Sequence, residues 1–223
     1  MPRSGLWVFL LAWFAAPVWS GPQFCEGTNI SINTRNAAFA ELTCEAVDKA
    51  NALFAQCNVP PVTAPLKIEI VEDIPDGCVA LYHCGERWIE ILEPPLLEAR
   101  RVPGDAFAFL KNEDYYQSVI AHELAHVAFD DVPCPYDVCM AGNEYVAYAM
   151  QVMSLSPAAQ DEFVSGSDLA RRVSRDELSV IMLFMAPDRF AQKVWAHLSQ
   201  QEDPCAFIGQ IMDGSVLLDR GRF

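Results

Sequence analysis

The spacing of apolar residues divides the chain into one early helix, a few strands and a long helical remainder. Over residues 36–56, apolar positions fall at Phe39, Leu42, Ala46, Val47, Ala50, Leu53 and Phe54. Gaps of three and four place them on one helical face. Asn33 or Asn36 serves as N-cap and Pro60-Pro61 as the stop. Leu66–Val71 alternates apolar and polar residues, as a half-buried strand does. Residues 79–83 and Trp88–Leu92 are two more short strands, with Cys84-Gly85-Glu86-Arg87 as the hairpin turn between them. From Lys111 the period becomes helical, over Asn112–Phe129, 142–153, 174–185, 187–198 and Pro204–Met212. Ser174 and Glu177 have capping-box spacing, and Pro187 and Pro204 stand at first-turn positions. Ile181, Leu183, Phe184 and Met185 read as core. Strands gathered early and helices late predict an α+β fold, with a strand, a hairpin and a helix in its small N-terminal sheet region.

The first 20 residues stand apart. Arg3 precedes an apolar run over residues 5–16, and Val18 and Ser20 sit like the small residues of a cleavage site. This is the pattern of an export signal, and the run is short for a membrane span. The mature chain is then one domain over residues 21–223. Residues 21–110 carry the sheet, 111–153 the central helices and 154–223 a helical remainder. The expected location is secreted or periplasmic. All eight cysteines follow the signal, so they read as disulfide-bonded. Cys134 and Cys139 close an easy local loop. Cys78 and Cys84 flank one strand, about 20 Å apart, too far to bond each other.

Charge narrows the function. Lys and Arg number 15 against 30 Asp and Glu, a net charge of -15. Removal of Arg3 with the signal takes it to -16. A phosphate-binding surface needs the opposite sign, which excludes a nucleic-acid partner and disfavours an anionic membrane surface. No segment after the signal is long and apolar enough for stable membrane insertion.

The chemistry lies in His122-Glu123-Leu124-Ala125-His126. On a helix, residues four apart share a face, so His122 and His126 can present two imidazoles to one ion. Glu123 sits about 100° round, where it can reach a metal-bound water without ligating. A catalytic zinc has three protein ligands and an open position. Phe129 and Val132 occupy the places of the Gly and His of a longer zinc motif, so the third ligand is sought among Asp130, Asp131, Asp137 and Glu144. The two aspartates at the helix end follow too closely to swing back. Glu144 opens a second helical segment, and a turn held by Cys134–Cys139 sets it facing the imidazoles. Asp137 is the runner-up.

His122 to His126, with Asn143-Glu144 beginning 17 positions on, resembles the gluzincin zinc metallopeptidases, the thermolysin-like and aminopeptidase-like group. The resemblance covers residues 112–153. It implies a zincin-like active-site helix, one zinc ion held by His122, His126 and Glu144, Glu123 as general base, and a peptide or protein substrate. It also implies a small sheet bordering the cleft and able to pair with an extended substrate. Four residues after Glu144, where thermolysin-like members often carry an Asp that partners a histidine, stands Tyr148. Asp137, Asp130 or a backbone carbonyl then becomes the candidate acceptor. Tyr145, Tyr148, His197 and His83 are candidate oxyanion donors. Two other classes use the same residues: a non-catalytic binding module stabilised by zinc, and an amidase acting on non-protein amides.

Overall fold

Period-two alternation builds the sheet that carries the molecule. The computed structural model describes residues 21–75, 77–165 and 171–219; the export signal read at residues 1–20 lies outside them. Five strands, β1 (Gln23–Phe24), β2 (Ile30–Asn33), β3 (Leu66–Val71), β4 (Ala80–His83) and β5 (Trp88–Leu92), form one sheet in the order β1-β2-β3-β5-β4. β3 runs parallel to β2 and β5, while β1 and β4 pair antiparallel with their neighbours. In β3, Leu66, Ile68 and Ile70 are buried and Lys67 and Glu69 are half-exposed. Ile89 and Ile91 do the same in β5. Burying each isoleucine contributes about 1.5–3 kcal/mol, which fixes the register because a one-residue slip would expose them all.

The helix α1 (Ala37–Gln56) connects β2 to β3 and packs on β2 and on the central helix α3 (Asn112–Phe129). Asn36 caps α1, its Oδ1 accepting from the Ala38 N–H at 3.0 Å. α3 is buried around most of its circumference, from Tyr116 to Phe129. It packs on α4 (Met140–Met153), on β4 and on the short α2 (Pro94–Ala99). α5 (Pro157–Val164), α6 (Val180–Met185), α7 (Pro187–Ser199) and α8 (Pro204–Met212) complete the helical part. The fold is therefore α+β, with a mixed sheet of five strands and eight α-helices among the described residues. No helix among the described residues is long and apolar enough to cross a membrane.

Three expectations need correction. The helix expected over 174–185 is two pieces, a 3-10 turn at Arg175–Glu177 and α6. The capping contacts of Ser174 and Glu177 form, but the Glu177 carboxylate is also drawn to Arg171 and Lys193 at 2.5 and 2.7 Å. Ser179 then caps a new helix by accepting from the Met182 N–H. Within α6 Leu183 is core, whereas Ile181, Phe184 and Met185 are 75%, 69% and 80% exposed. A helix of six residues has one inward stripe, and Leu183 holds it. Six of the eight cysteines pair, as Cys25–Cys44, Cys57–Cys205 and Cys134–Cys139, and Cys78 and Cys84 are free thiols. Those two flank β4, and the bridge between them that the strand length excluded is absent. Three disulfides fit an oxidising, extracellular environment.

Candidate metal centre

α3 supplies two imidazoles because four residues make about one turn. The His122 and His126 rings lie 4.7 Å apart, edge to face. α4 lies against α3 and brings Glu144 to both, with Glu144 oxygens 3.7 Å from His122 Nε2 and 3.9 Å from His126 Nε2. One ligand atom from each of the three falls within 4.8 Å of the others. Asp137, the runner-up, is not part of this group. Asp130 is engaged elsewhere, accepting from the Tyr82 hydroxyl.

Each imidazole is aimed by an amide. His122 Nδ1 meets Gln151 Oε1 at 3.0 Å, and His126 Nδ1 meets Asn143 Oδ1 at 2.8 Å. An amide oxygen only accepts, so both rings donate from Nδ1 and turn Nε2 towards Glu144. Gln151 is fixed in turn, its amide donating to Ser118 Oγ. These partners replace the carboxylate or carbonyl expected from the sequence. Their positions beside the candidate ligand, Asn143 just before Glu144 and Gln151 seven residues after it on the same helical face, become meaningful only once α3 and α4 are packed together.

The donor chemistry fits a zinc ion. Two imidazoles and one carboxylate are ligand types that zinc accepts, and tetrahedral zinc at its usual bond lengths puts ligand atoms about 3.3 Å apart. Closing the present 3.7 and 3.9 Å needs shifts of a few tenths of an ångström. Burial, with His126 beside it, holds His122 well below the ordinary imidazole range, which keeps it in the ligating neutral form. Burial also raises the Glu144 carboxyl, an unfavourable state for an anion that a cation would relieve.

Glu123 is 6% exposed and lies one residue round α3 from the ligands. Burial pushes its carboxyl up to about 7, with Glu144 adding to the rise and His126 opposing it; the Tyr82 backbone N–H donates to it. Thus β4, an edge strand of the sheet, touches the carboxylate through its backbone. The oxyanion candidates separate. Tyr148 lies at the site, its ring 4.7 Å from His122. Tyr145 is fully buried and bonds His197 Nδ1 at 2.9 Å. His83 stacks on Trp88 at 3.9 Å and bonds Glu90 at 2.9 Å.

Cys134–Cys139 closes the turn between α3 and α4. The first turn of α4 is held from far along the chain, since the Asp219 carboxylate accepts from the backbone N–H groups of Ala141 and Gly142 at 2.9 and 3.0 Å. That cap satisfies free N–H groups beside Asn143 and Glu144. No curated protein and no solved structure matches this chain. A family model does match, over residues 30–221, and the chain belongs to that family, the family of unknown function DUF6639.

Proposed function

We propose that this protein is an exported zinc-dependent metallopeptidase that hydrolyses peptide bonds with Glu123 as general base. The observation that carries the reading is the convergence of His122, His126 and Glu144 beside a buried carboxylate that is not a ligand. A site built only to staple the fold has no need of Glu123, and a buried carboxylate is costly to keep. A bound zinc ion supplies a Lewis acid and lowers the pKa of a coordinated water.

Glu123 takes one proton from the attacking water as its oxygen bonds the carbonyl carbon. It returns that proton to the amine nitrogen as the C–N bond breaks, and the carboxylate is restored. β4 offers its outer edge to an extended substrate, which can add as a further strand and pass Glu123. Gln151 and Asn143 keep the imidazoles in register. The disulfides and the signal pattern at residues 1–20 support action outside the cytosol.

Two measurements test this. Metal analysis of the purified protein is expected to give about one zinc per chain, lost in His122→Ala. A peptide-library cleavage assay is expected to show hydrolysis by the wild type and a fall of about 10²–10⁴-fold in Glu123→Gln with zinc retained. Zinc bound without Glu123-dependent hydrolysis of any peptide sinks the peptidase reading and leaves a structural metal.

A further inference from the structure

Amide hydrolysis develops negative charge on the carbonyl oxygen, and a fixed hydrogen-bond donor aimed at that charge is a large part of catalysis. Several of the side chains able to donate are already engaged. Tyr145 and His197 bond each other, and His83 is taken by Glu90. The Tyr82 hydroxyl donates to Asp130, and Tyr116 is bonded to Thr43 at 2.9 Å.

Tyr148 differs from all of these. It follows Glu144 by four residues, so it stands one turn further along the same face of α4. Its ring is seated between His122, 4.7 Å away, and Phe190 of α7, 6.1 Å away, both edge to face. Its hydroxyl makes no hydrogen bond among the described residues. The ring is thus immobilised against a metal ligand while its donor is unspent. Such a group needs no reorganisation when charge appears. It comes from α4, whereas Glu123 comes from α3, so donor and base approach the ligands from different helices.

We propose that Tyr148 is a catalytic residue of this site, donating its O–H to the oxyanion formed when the carbonyl carbon becomes tetrahedral. The inference rests on the metallopeptidase reading. The phenol keeps its proton throughout and forms no covalent bond; the hydrogen bond strengthens as charge builds and relaxes as the C–N bond breaks.

Tyr148→Phe tests it. The hydroxyl has no partner to lose, so packing on His122 and Phe190 is retained. Zinc content and melting temperature are expected to match the wild type. The kcat for peptide hydrolysis is expected to fall about 10²–10³-fold, with KM within about twofold. Affinity of the zinc-loaded protein for a phosphonate peptide, a mimic of the tetrahedral anion, is expected to fall by a similar factor, which a packing role would not produce. A variant that hydrolyses peptides and binds the phosphonate like the wild type overturns the role of Tyr148 and leaves the peptidase reading standing. A wild type that hydrolyses no peptide overturns the peptidase reading; phosphonate affinity still lost in Tyr148→Phe then supports Tyr148 as an anion donor, and affinity unchanged overturns both.

Discussion

Gln151 is the most direct handle on the candidate metal centre that leaves every candidate ligand in place. Its Oε1 holds His122 Nδ1 at 3.0 Å, and its own amide is anchored on Ser118. Gln151→Ala removes the acceptor at a buried position, 4% exposed, and leaves a cavity in its place. His122 can then rotate or change tautomer, and its Nδ1–H is left buried without a partner. Removing such an outer partner typically weakens metal binding about 10–100-fold, or roughly 1.4–2.7 kcal/mol. The assay is a competition titration of zinc against a chelator of known affinity at fixed pH, with His122→Ala as the null control. Gln151→Glu makes the complementary case. A carboxylate raises the basicity of His122 and tightens zinc, while the metal-free protein melts lower because the new charge is buried. Zinc affinity in Gln151→Ala within twofold of the wild type would falsify the view that the amide orients His122.

Two further outcomes follow from the helical part. Burial, with Arg175 and Arg172 adding to it, lowers His197 to about 4, against an ordinary value of 6.5. The unfolded chain therefore binds a proton that the folded one refuses between those values, so stability is full above pH 6.5 and falls as pH drops towards 4, by up to about 3 kcal/mol. Denaturant melts across that window are expected to show a shallower loss in His197→Gln, which keeps a polar partner for Tyr145; parallel curves would remove His197 as the cause. The Cys57–Cys205 bridge spans 148 residues, and closing so long a loop restricts the unfolded chain by about 5 kcal/mol in the entropy model. The double variant Cys57→Ser/Cys205→Ser is expected to lose about 2–5 kcal/mol in equilibrium unfolding, and an unchanged midpoint would contradict that account.

What the sequence revealed follows from how strongly each signal repeats. β3 and β5 were legible to the residue, because Leu66 to Val71 and Trp88 to Leu92 alternate cleanly and one face of each is buried. α3 was legible through its length and its paired histidines. β2 was missed because four residues give only two inward positions, Ile30 and Ile32. The short helices α2 and α5 are too brief to show a period, although Pro94 and Ser156-Pro157 mark their starts. At the site, the charged and titratable candidate ligands were readable, since H-E-x-x-H limits the chemistry. The amides Asn143 and Gln151 were not, because an uncharged side chain leaves no chemical mark until the helices are placed together. Ile181, Phe184 and Met185 misled because a run of apolar residues says nothing about whether a helix is long enough to bury them.

The hold of Asp219 on Ala141 and Gly142 bears on the order in which the protein is completed. His122, His126 and Glu144 emerge together during synthesis, yet the clamp on the helix bearing Glu144 lies 77–78 residues further on. Phe190, which seats Tyr148, also comes later in the chain. A growing chain thus owns all three candidate ligands well before it owns the geometry that brings them together. On the metallopeptidase reading, metal acquired at that stage would sit in an unclamped site and exchange readily, so final loading would belong to the finished fold. The compartment that completes folding would then decide which ion the centre retains.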